Sequence, residues 1–191
     1  MPPKYDPVPV SAAVEVFFAG KKRQVQFLNG VFGLGMTEAK KSSQQVEIAG
    51  IKFFVLDPIA CLESRIHNSY GLPGRHGERD LQRVRLAIRV ARHRIHVVAQ
   101  THPRAALHMA ERVLETARSP RAVMLFVNDA IDILEAIPGA GMPQQFYTDR
   151  LTRGKKWLSN KRERSRQQIV RFASSSRTRA AVGSGVKRKS K

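Results

Sequence analysis

The chain has 191 residues and a formal net charge of +19, with 34 Lys/Arg against 15 Asp/Glu. Its hydrophobic content of 42% is enough for one cored domain with extensions, no apolar run is long enough to span a bilayer, and the N-terminus MPPKYDPVPV lacks the apolar stretch of a secretory signal. The single cysteine, Cys61, excludes an internal disulfide and argues against a cysteine-based zinc site, so a reduced cytoplasm is the expected setting.

The charge is uneven. Between Arg150 and Lys191 there are fifteen Lys/Arg and one acid, Glu163. Such a block attracts polyanions through its field and through counterion release. The same composition also describes a solvated tail with no specific partner, and it leaves both readings open.

In chain order, Met1–Val10 is proline-rich and aperiodic, and reads as extended or disordered. Val14–Phe18 and Gln24–Val31 are β-prone and joined by Ala19–Arg23, which reads as a hairpin with an exposed loop. Gly30, Gly33 and Gly35 read as turn-makers, since GVFGLG is not followed by the Gly-Lys-Ser/Thr of a phosphate loop. Lys40–Gln45 reads as polar loop. Val46–Ile48 and Ile51–Leu56 flank Ala49-Gly50 as a second hairpin. The strand IKFFVL is too apolar for a half-exposed edge and should be central or covered. Asp57 is a good N-cap and Pro58 suits the first helical position, so a helix should start there. Its apolar stripe is Ile59, Leu62, Ile66 and Tyr70, and Gly71–Gly74 stops it. Cys61 falls on its inner side as a packing residue.

From Asp80 the pattern is strongly helical. Leu81, Val84, Ile88, Ala91, Ile95 and Val98 form one stripe, and Arg83, Arg85, Arg89, Arg92 and Arg94 give a basic outer face. His93 and His96 lie one turn apart with no third ligand in view. Pro103 opens another helix. Ser119-Pro120 opens a third that should run to Ile137, with Asp129 and Asp132 as surface or capping charges. Pro143 should open a last helix reaching about Ser174. There Lys155, Lys156, Trp157, Lys161, Arg162, Arg164 and Arg166 are candidates to grip a nucleic-acid backbone, with Trp157 or Phe172 stacking on bases. Ser174–Lys191 reads as a disordered basic tail. The fold class is α+β: a β-rich part over 11–56, a helical bundle over 58–173, and a tail over 174–191.

No G-x-S-x-G or H-E-x-x-H signature is present. The strings QVQFLNGVFGL and VEIAGIKFFVLDPIACLESRIHN, followed by a loop and an amphipathic helix, resemble the back half of a nucleotidyltransferase of the polymerase-β superfamily. The group with abortive-infection toxin-type nucleotidyltransferases is the nearest in wording. The resemblance covers roughly Val14–Val98, and DPIACLESRIHN is its most distinctive part. It implies metal-assisted transfer of a nucleoside monophosphate from a triphosphate, with carboxylates of a D-x-D after a Gly-Ser turn and a third carboxylate on a later strand. This chain has no Gly-Ser turn leading into D-x-D. Gln26 stands where the third carboxylate is expected, in Val25-Gln26-Phe27-Leu28. The resemblance therefore implies a truncated or degenerate member, with 11–56 a remnant of a small mixed sheet and little or no transfer activity of its own. It also implies nucleotide-binding roles for Arg65, facing the triphosphate, and Asp80, holding base or ribose or orienting the cation. The residue-level alternative is a surface ion pair of Arg65 with Glu63 or Asp80, and Asp80 as a helix cap. Mg2+ and a nucleoside triphosphate are expected only if another chain supplies the missing half. The competing expectations are a nucleic-acid-binding protein acting through the Lys/Arg-rich segment, and an interaction partner whose sheet is completed by a second chain. No membrane partner is expected.

Overall fold

The computed structural model describes residues 10–28, 34–48, 50–71, 77–165 and 167. The readings of Met1–Pro9, Gly30, Gly33, Arg166, Phe172 and the tail over 174–191 lie outside them.

The architecture is α+β. Strands β1 (Val10–Phe18) and β2 (Lys21–Leu28) form one antiparallel hairpin; β3 (Ser43–Ile48) and β4 (Ile51–Leu56) form another. Among the described residues these are two separate two-stranded ladders rather than one joined sheet. The first connection is tighter than the five-residue loop the sequence suggested. Ala19 and Gly20 alone turn the chain, at φ of 50° and 70°. Two central residues with positive φ match the twist of the flanking strands. The expected loop over Lys40–Gln45 is replaced by a short helix α1 (Met36–Lys41) and the start of β3. Nor is β4 covered as expected: Phe54 is 73% exposed and Val55 46% exposed.

Helix α2 (Pro58–Gly71) starts where the Asp57-Pro58 pair predicts. Asp57 Oδ1 accepts from the backbone N–H of Ile59 at 2.8 Å, which satisfies a donor that has no partner within the helix. Helix α3 (Glu78–Thr101) begins two residues before Asp80, with Gly77 as its N-cap. Its 24 residues make a rod about 36 Å long. Helix α4 (Pro103–Ala117) packs through Ala106, Ala110 and Ala117, whose small side chains allow close helix approach.

Helix α5 (Pro120–Asn128) is shorter than its apolar periodicity implies. Ala130 takes φ of 53°, and the Ile131 N–H donates back to the Leu125 carbonyl at 3.1 Å. Ala130 thus supplies a left-handed helix stop without glycine, and the returning bond reaches one residue further back than in a Schellman motif. Ile133, Leu134 and Ala136 then enter the core from a 3-10 turn, with Asp132 as its cap: Asp132 Oδ1 accepts from the Leu134 N–H at 2.9 Å.

The last helix, α6 (144–165 of the described residues), includes a π-helical turn over Phe146–Leu151. Among described side chains, every buried hydrophobic residue lies between Ile59 and Leu158, so the core belongs to the helices. Gly154 brings the α6 backbone close to Leu114 of α4. A Cβ there would sit 2.8 Å from Leu114 Cδ2. Gly154→Leu is expected to cost about 1–3 kcal/mol by overpacking, measured as a lower urea midpoint at unchanged m. An unchanged midpoint would show that the α4–α6 contact opens freely.

Candidate nucleic-acid interface

The cations of α6 sort by face. Leu151, Gly154 and Leu158 are buried, so the opposite face must be the outer one. Arg153, Lys156 and Arg164 are exposed on it, Lys155 and Lys161 are exposed on the two flanks of the buried stripe, and Glu163 is the exposed acid of the helix. Arg162 is different. It is half-buried, its guanidinium lies 5.5 Å from the Phe126 ring centroid, and it joins α6 to α5. Trp157 is also half-buried, packed against the core, with Lys161 Nζ 5.4 Å from its ring centroid. An indole held in this way contributes to packing with the part of its ring that is buried.

Helix α3 is less purely basic than the sequence suggested. Arg83 pairs with Asp80 at 3.1 Å and Arg85 with Glu78 at 3.2 Å, so two of its six arginines are paired within the helix. Asp80 is thus a first-turn acid bound to Arg83, not the helix cap. Arg65, half-buried on α2, makes neither of the ion pairs the sequence offered it: Glu63 is engaged by Arg112 and Asp80 by Arg83. No contact between Arg65 and Asp80 is present among the described residues. His93 and His96 are both exposed on α3, and His96 Nε2 lies 3.4 Å from Gln100 Nε2.

A second polar grouping was not foreseen. Glu63, His67 and Tyr70 follow one another along α2 at i, i+4 and i+7, beside the apolar stripe, and meet α4 and α5. Arg112 donates to both oxygens of Glu63, through Nε at 2.7 Å and through a terminal nitrogen, and Thr116 Oγ1 adds a third bond at 3.2 Å. The same guanidinium reaches Glu38 on α1 at 3.2 Å and Ser42 Oγ at 3.4 Å. Burial opposes the Arg112 charge, but hydrogen bonds and charge from Glu63, with Asp57 and Glu38 behind, outweigh it and raise its pKa. His67 Nδ1 makes a short contact with Arg121. Tyr70 donates to Asp129 at 2.8 Å and accepts from Asn128 at 3.3 Å. The spacing Glu63, His67, Tyr70 was the available signal, but the partners lie 49 to 59 residues away in sequence. These groups satisfy one another, and the seam acts as a brace between helices.

Burial, then the neighbouring Arg121 charge, lower the His67 pKa, and Glu63 opposes this only partly. Below the ordinary value of 6.5 the unfolded chain takes up a proton that folded His67 resists. This contribution to stability is complete above that value and declines as pH falls through it. Chemical denaturation at about pH 7.5 and about pH 5.5 should show the loss, and His67→Asn should flatten it. An equal pH dependence in the variant would assign the effect to other groups.

The described residues do not fit a divalent-metal site. Gln26 pairs with Ala13 in the β1–β2 ladder, and no three His, Cys, Asp or Glu side chains converge among the described residues. No helix of the described residues is long and apolar enough to cross a membrane. No protein-family pattern, characterised protein or solved structure matches the chain.

Proposed function

We propose that the chain binds nucleic acid through the exposed cations of α6 and the Lys/Arg-rich segment that follows it. The observation that carries this is the set of exposed cations Arg153, Lys155, Lys156, Lys161 and Arg164 around α6, opposed by Glu163 alone among the exposed acids of the helix. Residues 166–191 add eight Lys/Arg and no acid. Backbone phosphates are the matching ligand, because flexible cations without a shaped pocket read charge rather than sequence.

In this reading the β-rich part, the Asp57-Pro58 break and the following helices derive from a nucleotidyltransferase-like protein in which Gln26 stands in place of a metal-binding carboxylate. Gln26 supports that view. The chain alone then transfers no nucleotide, Mg2+ and a nucleoside triphosphate act only where a second chain supplies the metal ligands, and the setting is the cytoplasm.

The test is titration of labelled single-stranded RNA and duplex DNA at several salt concentrations. The expected result is binding whose logarithm falls linearly with the logarithm of salt, with little sequence preference. Binding that is absent at low salt, or indifferent to salt, would overturn the reading. A truncated comparison chain should end after Ser165. A stop near residue 150 would delete buried Leu151 and Leu158 and test folding instead.

A further inference from the structure

Helix α3 carries two apolar stripes on opposite faces. The inner one, from Leu81 to Val98, is buried in the core. The outer one is Leu86, Val90 and Val97, exposed by 60%, 47% and 41%, with exposed His93 between the last two. The four positions are spaced 4, 3 and 4 residues apart. That is the a/d seam of a coiled coil, and it is too narrow for the wide apolar face a membrane-surface helix needs.

The residues beside the seam decide what can cover it. Arg89 and His96 flank one edge and Arg94 the other, and from Leu81 to Thr101 the helix contains no acid. Arg94 also carries a buried Nε with no hydrogen-bond acceptor. A second copy docked through the same seam would set Arg and His against Arg and His, and like charges at flanking positions oppose pairing. The chain's own 166–191 segment, with eight cations and no acid, is repelled in the same way. Nucleic acid would gain from the arginines but would have to cover Leu86 and Val90 without compensation.

We propose that the outer face of α3 is a docking surface for an amphipathic helix of another protein, with apolar residues at its own a/d positions and Asp/Glu at the flanking ones. The surface is separate from the α6 cations and goes beyond the nucleic-acid reading.

The probe is a designed four-heptad peptide with Leu at a and d and Glu at e and g, titrated against the full chain by fluorescence anisotropy. A twin with Lys at e and g tests charge. A third peptide of the acidic composition, broken by two prolines, tests helicity. The acidic helix is expected to bind at least about tenfold more tightly than either control. Val90→Glu should abolish that binding without lowering the melting temperature, and Leu86→Glu should do the same. Equal binding of the proline-broken peptide reduces the face to a charge effect and overturns the proposal. So does failure of the acidic helix to bind at all. Self-association in sedimentation velocity that Leu86→Glu removes would assign the face to a second copy. Displacement of RNA by the acidic peptide, lost in Val90→Glu, would assign it to nucleic acid.

Discussion

Replacing Arg112 by methionine should cost about 3 kcal/mol of folding stability and lower the melting temperature by roughly 10 °C. The size follows from what stays behind. The Glu63 side chain is 11% exposed and would retain Thr116 as its hydrogen-bond donor but lose its counter-charge. A carboxylate stranded in this way is worse than no carboxylate. Arg112→Met combined with Glu63→Met should therefore recover most of the loss, because the uncompensated charge is gone and two methionines can fill the seam. Equilibrium urea unfolding of the wild type, both single variants and the double variant measures this coupling. A loss below about 1 kcal/mol for Arg112→Met would show that solvent already screens the pair, as it does for surface ion pairs.

The second large effect concerns polyanion binding. Changing Lys155, Lys156, Lys161 and Arg164 together to glutamine removes four exposed cations from α6 while leaving its buried residues untouched. If each neutralises one phosphate, the salt slope should become shallower by about 3 to 4. At about 0.15 M salt each such contact is equivalent to roughly fivefold in affinity, so the four together amount to about 600-fold. The melting temperature should move little, with the Lys161–Trp157 contact the main exception, at about 0.5–1 kcal/mol. An unchanged slope would move the contact surface off α6 and into the segment beyond it.

The sequence was most informative where chemistry is local. Asp57-Pro58, Pro103 and Ser119-Pro120 each mark a helix start, because a capping side chain or a fixed φ acts within one turn. The inner stripe of α3 was legible because one face is buried along its whole length. The end of α5 was not. Ala130 adopts a left-handed conformation that glycine normally announces, and the same apolar spacing continues into the 3-10 turn that follows. Helix α1 was missed because its six residues are too few to establish a period. The exposure of Phe54 contradicts a rule that is sound for larger sheets, since a two-stranded ladder has no covered centre. For the candidate interface, composition alone located the cations of α6. It could not separate the half-buried Arg162 and Trp157 from their exposed neighbours. The seam built on Glu63 depends on pairings across three helices, and nothing local announces them.

The placement of every described buried hydrophobic residue between Ile59 and Leu158 bears on how the molecule opens. The hairpins hold their own ladders, and β3–β4 meets the bundle through the Asp57 N–H on the Ser42 carbonyl at 2.7 Å, beside the reach of Arg112 to Glu38 and Ser42. Isolated two-stranded ladders open at low free energy, whereas the helices share one cooperative unit. Amide hydrogens of β3 and β4 should exchange with solvent through local opening, long before those of α3 and α4. A protease nicking near Asp57 would release the β-rich part and leave a folded bundle with its α6 cations in place.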